Sequence, residues 1–279
     1  MNRFDLFRMS CSSACWEPLE GTPTTLNTLA KHLGLLLDDD TTTRKKKKKI
    51  SWKFVDVLGL DDDIVKLTIP SLTSTCTALI LLYPTDDEEI TKYFESAIEK
   101  SDHQEEIQRR SSKNSRCIFL KQTIGGTCGT LATVHAIANS QNCCHDAVTP
   151  GSPLHELVRK HEMSPTQAYQ DRCDWFLQLD SVRNAHERAV EHMNQGKDSS
   201  VPSTMMSGQR QGRHFVTWVH KDGQLWELDG RRTEPTWRGT TSEGNFLSDT
   251  ICIVREVFDA SQDESLFARC SLLALISTS

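Results

Sequence analysis

The residues best suited to do chemistry lie in two segments, Gln122-Thr-Ile-Gly-Gly-Thr-Cys128-Gly129 and His214-Phe-Val-Thr-Trp-Val-His220, the second followed shortly by Asp229. Cys128 follows a glycine-rich turn and opens a stretch in which Leu131, Val134, Ile137 and Ala138 recur, which predicts the first turn of an amphipathic helix. Free N–H groups and the helix dipole favour negative charge there. A thiol so placed is expected to lose its proton more easily, and the thiolate is the nucleophilic form. Gly125 and Gly126 allow the turn at little steric cost, and Gly129 is expected to leave room beside the sulfur for a carbonyl. Gln122, six residues earlier, has an amide that could donate to an oxyanion together with the Cys128 N–H. Local context alone also fits a buried structural cysteine and an ordinary turn glutamine.

Acyl transfer to sulfur needs a base and a group that orients it. The alternation from His214 to His220 predicts a strand, Asp222-Gly223 is a hairpin turn signal, and Gln224 to Asp229 runs back. Folding there sets position 214 opposite roughly position 230, so His214 and Asp229 can be cross-strand neighbours. The register is open at this stage, and a strand-end histidine beside an Asp-Gly turn fits equally well. His135 sits about two turns along the Cys128 helix, too far to act as the base, and is expected to pack. His220 is expected at the turn, in solvent. Cys143 and Cys144 lack the setting of Cys128 and read as structural.

These side chains need a scaffold. Thr24 to Leu36 carries Leu26, Leu29, Ala30 and Leu33 at helical spacing, and Trp52 to Val57 reads as a short strand. Cys76 to Tyr83 is an unbroken apolar run ended by Pro84, the pattern of a strand covered on both faces. A helix is predicted over 88–100 within a polar stretch, and a loop leading into a short helix over 141–162. A helical region follows from Ser164 (as N-cap, with Pro165 in the first turn) to about Met193. After a loop at 194–213 and the hairpin come a helix over about 244–259 and a final strand over 266–277. The irregular mixture of strands and helices predicts an α+β fold with a mainly antiparallel sheet, in a single domain over 1–279. Residues 38–50, DDDTTTRKKKKKI, suit no packed core and read as a charged insertion, with nuclear import as one role for its lysines.

The 279 residues carry a net charge of -6, which disfavours strong non-specific nucleic-acid binding. The N-terminus has no apolar run of signal-peptide length, and Ala78 to Tyr83 is too short to span a bilayer. A cytoplasmic, and also nuclear, chain is expected, with its ten cysteines as free thiols. No CxxC occurs, which argues against a structural zinc site.

QTIGGTCGTLATVHAIAN and HFVTWVHKDGQLWELDGRRTEP closely resemble the signature segments of the ubiquitin carboxyl-terminal hydrolase family of cysteine proteases. Trp16-Glu-Pro-Leu-Glu20, Phe54-Val-Asp-Val-Leu-Gly-Leu-Asp61, Met163-Ser-Pro165 and the closing FARCSLLALI follow the family in order, so the resemblance spans nearly the whole chain. It implies a papain-like, knotted fold of the short single-domain type. It makes Cys128 the nucleophile, His214 the base and acid, Asp229 its orienter and Gln122 an oxyanion donor, with no metal or organic cofactor. The implied reaction is thiol-dependent cleavage of ester, thioester, amide or peptide bonds at the C-terminal glycine of ubiquitin, in ubiquitin-dependent protein catabolism, by a monomer. A loop at about 145–160 is expected to cross the site and favour small or unfolded leaving groups. Gly126-Thr127 depart from the family's Asn-Ser, which removes a side-chain contact near the oxyanion. Alternatives are a hydrolase of a ubiquitin-like modifier such as Nedd8, or a non-catalytic monoubiquitin-binding protein.

Overall fold

A computed structural model of the chain describes residues 15–37, 51–69, 74–102, 117–165, 167–195, 212–261, 263 and 265–278. The charged insertion at 38–50 and nearly all of the loop expected at 194–213 lie outside them. Six strands form one sheet: β1 (Ser51–Asp56), β2 (Ser74–Pro84), β3 (Arg213–Lys221), β4 (Gln224–Leu228), β5 (Thr236–Thr240) and β6 (Ser271–Thr278). Their spatial order is β1-β6-β2-β3-β4-β5 and every pairing is antiparallel, giving the expected α+β architecture.

The unbroken apolar run is β2, third in the order, paired by β6 and β3 and covered on both faces. Side chains alternate across a strand, so β2 serves two cores at once. Ala78, Ile80 and Leu82 join one hydrophobic cluster, whereas Leu79, Leu81 and Tyr83 join the other. The first cluster holds α1 (Pro23–Leu33), α4 (Cys128–Asn139), α6 (Pro153–Met163), α7 (Tyr169–Leu177) and α8 (Asp180–Asn194). The second is closed by α2 (Asp62–Thr68), α3 (Glu88–Asp102) and α9 (Phe246–Ala260). The short helices α5 (Gln141–Asp146) and α10 (Leu266–Arg269) are the remaining helices among the described residues.

Several boundaries differ from the sequence expectation. Ser164 closes α6 rather than capping a helix, and the long helical region splits into α7 and α8. The cap with proline in the first turn is Ser152-Pro153 instead, where the Ser152 hydroxyl accepts from the His155 N–H at 3.3 Å. Of the loop and short helix expected over 141–162, the helix is α6 and the first part of the loop is α5, and the last strand begins at Ser271 after α10. The Cys128 helix is enclosed rather than amphipathic: Gly129 through Asn139 are all buried. It is the central rod of the first core, so no polar face was available for its sequence to show.

Side chains on α4 fix the segment that precedes it. Asn139 accepts from the Ile118 N–H at 2.7 Å and donates to the Ile118 carbonyl at 2.9 Å, as a neighbouring strand would. His135 Nε2 accepts from the Leu120 N–H at 3.0 Å, its ring stacks on Phe119, and burial pushes its pKa down to about 3. His135 is thus a neutral packing residue that lines up residues 117–120 and so places Gln122.

The turn before Cys128 is set by the N-terminal segment. The Trp16 N–H donates to the Gly125 carbonyl at 2.9 Å. Gly126 has φ +80°, and a Cβ there would lie 1.9 Å from the Trp16 carbonyl oxygen. Gly151 has a similar φ of +77° with open space around it. Gly151→Ala should therefore cost about 1 kcal/mol of backbone strain, and Gly126→Ala at least about 2 kcal/mol more through the clash. Urea midpoints of the two variants check this, and equal losses would contradict the packing of Trp16 on the turn.

Candidate active site

The hairpin that carries the base candidate follows its turn chemistry. Asp222 and Gly223 have φ +52° and +75°, the doubly left-handed pair of a tight two-residue turn. This pairs Lys221 with Gln224 and Thr217 with Leu228. His214 and Asp229 then fall just beyond the paired rungs, on the same face, and meet: His214 Nε2 lies 2.6 Å from Asp229 Oδ1. Both are buried, at 4% and 2% exposure. Since Nε2 faces the carboxylate, Nδ1 is the ring nitrogen left for proton transfer with the sulfur.

Asp229 is the hub of the corner. It accepts from the Arg231 backbone N–H at 2.9 Å, with Arg231 Nη2 at 3.4 Å and Arg232 Nε at 4.0 Å from its second oxygen. Burial alone would raise its carboxyl, but the His214 ring and Arg231 outweigh this and hold it well below the ordinary carboxylate range. For His214, burial lowers the pKa, Asp229 opposes this and the Arg231 charge reinforces it, so the ring is neutral at pH 7.

Cys128 begins α4 and is half-buried. The Thr127 hydroxyl donates back to the Ile124 carbonyl at 2.7 Å and does not cap the helix. The first-turn N–H groups therefore keep their donor capacity. The backbone N–H groups of Phe215, next to His214 in sequence, and Gly129 favour the ionised form of the Cys128 thiol. Contrary to the expectation of a readily ionised thiol, burial pushes it up to about 11, more than these donors and the Arg231 charge can offset. Among the described residues no hydrogen bond joins the Cys128 sulfur to the His214 ring. Strand alternation explains this: Phe215 faces α4, while His214 projects from the other face onto Tyr83. Gly129 is no vestibule either, because its missing side chain is replaced by Leu19 and Phe215, each 3.1 Å from where a Cβ would stand.

Gln122 joins the same corner. Its backbone N–H donates to the Gly230 carbonyl at 2.7 Å, and its Nε2 donates to the Ile124 carbonyl at 3.0 Å. Oε1 is buried without a partner, and the second Nε2 hydrogen is left to serve another acceptor. All four sequence candidates thus come to one end of α4 and β3. Three others that touch the corner, Tyr83, Arg231 and Arg232, are not among the sequence candidates. Arg231 was signalled by its place two residues after Asp229, whereas Tyr83 shows only through the β2–β3 register. His220 is half-buried rather than at the turn in solvent, with Nε2 enclosed and unpartnered.

The loop expected to cross the site does not. Residues 147–152 follow α5 at the C-terminal end of α4, roughly 17 Å from Cys128 at ~1.5 Å per residue. They pack on the end of α1: Leu36 N–H donates to Ala147 at 2.8 Å and Thr149 N–H to Gly34 at 2.8 Å. A cavity of about 350 Å³ lies at that end too, lined by Ala138, Cys144, His161 and Lys221 among others, and touches none of the four candidates. Among the described residues no group of three or more His, Cys, Asp or Glu side chains is placed to hold a metal ion.

The family described as ubiquitin carboxyl-terminal hydrolase, family 1, matches residues 16–259. The chain is 31% identical to ubiquitin carboxyl-terminal hydrolase isozyme L1 of Macaca fascicularis over 257 residues, covering 92% of this chain and 97% of that one. It is 30% identical to a ubiquitin carboxyl-terminal hydrolase of Aplysia californica, covering 86% and 94%. In fold it is similar to the Trichinella spiralis UCH37 catalytic domain solved with ubiquitin vinyl methyl ester, with TM-score 0.60, 19% identity, and coverage of 97% and 99%.

A thiol pushed up to about 11 should be alkylated slowly at neutral pH. The rate of Cys128 carbamidomethylation by iodoacetamide, followed by peptide mass spectrometry, should climb about tenfold per pH unit from pH 7 to 9. A plateau already reached below pH 7 would mean that the free chain holds a preformed thiolate.

Proposed function

The chain belongs to ubiquitin carboxyl-terminal hydrolase family 1 and is a cysteine-type deubiquitinase, and we propose that Cys128, His214, Asp229 and Gln122 carry its chemistry at the C-terminal glycine of ubiquitin. The observation that carries the assignment is the buried 2.6 Å His214–Asp229 pair beside an uncapped helix start that presents a thiol. The named relatives are ubiquitin hydrolases, and the similar solved structure holds a ubiquitin derivative, which supports ubiquitin as the acyl partner.

Thiol and imidazole are both neutral in the free chain, so attack and proton transfer belong to one event. Binding of the substrate brings the His214 ring to the sulfur. Nδ1 takes the thiol proton as the sulfur adds to the glycine carbonyl, and Asp229 stabilises the imidazolium through Nε2. The oxyanion is received by the Cys128 N–H and the free N–H of the Gln122 amide. Imidazolium then protonates the departing amine, oxygen or sulfur, leaving a thioester on Cys128. Water, deprotonated by His214, adds to that thioester and releases the ubiquitin carboxylate and the thiol.

We further propose a preference for small or unfolded leaving groups, now on different grounds from a crossing loop. The reacting groups are recessed: His214 and Asp229 are almost fully covered, and Leu19 and Phe215 wall the sulfur at Gly129. An extended chain end can enter such a site, while a folded domain attached directly to the scissile bond is held away. Faster turnover of a folded diubiquitin than of ubiquitin with a short peptide extension would refute the preference. Parallel hydrolysis of fluorogenic ubiquitin and Nedd8 conjugates identifies the modifier.

Cys128→Ala should abolish hydrolysis and labelling by a ubiquitin C-terminal electrophile while ubiquitin binding persists. Asp229→Asn should lower kcat by about 10²–10⁴-fold and Gln122→Ala by about 10–10³-fold. Steady-state kinetics on the fluorogenic conjugate reads all three, and wild-type turnover by Cys128→Ala would sink the assignment.

A further inference from the structure

We propose that Tyr83 is a positioning residue of this site: from the strand beside His214 its ring braces the imidazole, and its hydroxyl holds Arg231 against the Asp229 carboxylate. The inference rests on reading His214 and Asp229 as base and orienter.

Tyr83 is the direct cross-strand partner of His214 in the β2–β3 register. Its ring meets the imidazole edge-on, with centroids 5.9 Å apart and an interplanar angle of 83°. On its other side it stacks on Phe94 of α3 at 4.9 Å and 27°. With 1% exposure it has no room to swing, so the imidazole packs against a fixed plane. The Asp229 hydrogen bond fixes one nitrogen of the imidazole, and the Tyr83 ring limits rotation of the ring about that contact.

The hydroxyl has a second task. Arg231 Nη2 donates to the Tyr83 oxygen and also approaches Asp229 Oδ2 at 3.4 Å. The Arg231 side chain is about one-third exposed (32%), and a long side chain at such a site gains rotamer freedom by swinging into water. The phenol oxygen is the fixed acceptor that opposes this. Burial keeps the phenol protonated, so the contact is between a neutral acceptor and a cation across the whole working pH range.

The groups facing His214 are Tyr83 from β2, and Asp229, Arg231 and Arg232 from the corner after β4. Of these, Arg231 and Arg232 oppose protonation of the ring and Asp229 favours it. Loss of the Tyr83 hydroxyl releases Arg231, so the ring charges at higher pH and loses the proton-accepting form that attack requires. The sign is therefore an upward move of the acid limb.

The test is Tyr83→Phe, which keeps the ring and its stacking and removes only the acceptor. With fluorogenic ubiquitin, kcat should fall about 5–20-fold while KM stays within about twofold, and the acid limb of kcat/KM should move up by about half a pH unit. Tyr93→Phe is the control. Tyr93 also accepts from an arginine, Arg238 at 3.3 Å, but that arginine pairs with Glu227, not Asp229. Its limb should stay in place. In an Arg231→Gln background, Tyr83→Phe should add no further shift, and a full additional shift would overturn the proposed route through Arg231. An unmoved limb with wild-type kcat in Tyr83→Phe overturns the proposal outright. Should Tyr83→Phe not fold, Arg231→Gln alone must move the limb up, and a stationary limb then overturns it. Cys128→Ala measured alongside separates the two levels: if it is inactive while Tyr83→Phe is normal, only the role of Tyr83 falls, and if it is active, the site assignment falls.

Discussion

A carboxylate enclosed at 2% exposure is the constraint around which this end of the molecule is organised. Removing a charge from water costs several kcal/mol unless its oxygens are met by donors and opposite charge. Asp229 meets that demand with the His214 ring, the Arg231 backbone N–H and the guanidinium groups of Arg231 and Arg232. Each partner in turn ties down an element. His214 belongs to β3 and Arg231 reaches Tyr83 on β2. Arg232 donates to the Phe94 carbonyl on α3. Gln122, fixed to Gly230, brings in the segment leading to α4. A single buried charge therefore couples the sheet, the second core and the Cys128 helix.

The same burial governs reactivity. It raises the thiol and lowers the imidazole, and both shifts stabilise the neutral forms. A neutral pair on opposite sides of a strand end does not react with small electrophiles as a preformed ion pair does. Free donors are in place at the uncapped start of α4 and on Gln122, whereas among the described residues no hydrogen bond joins the thiol to the imidazole.

The enclosed helix α4 illustrates how function and stability share residues here. His135 and Asn139 satisfy the backbone of residues 117–120, a chain segment outside the sheet that would otherwise bury unpaired N–H and C=O groups. The seven residues from there to Cys128 are pinned at Gln122 by Gly230 and at Gly125 by Trp16. Gly126 is required in this chain by the Trp16 carbonyl as much as by its own φ of +80°.

Most of this could be read from the chain, because it is encoded locally. The Asp222-Gly223 turn set the hairpin and hence the proximity of His214 to Asp229. The unbroken run in β2 announced a strand covered twice, and the glycines before Cys128 announced a helix start. Several segments together carried the family. Distance along the chain hid the rest. Ser164-Pro165 looked like a helix start as much as Ser152-Pro153 did, and only packing chose between two identical local signals. The path of residues 147–152, the enclosure of α4 and the approach of Tyr83 to His214 depend on contacts between segments far apart in sequence. The protonation of Cys128 was decided the same way: the helix start favoured the thiolate, but desolvation in the assembled core was the larger effect, and burial is a property of the fold that no single segment possesses.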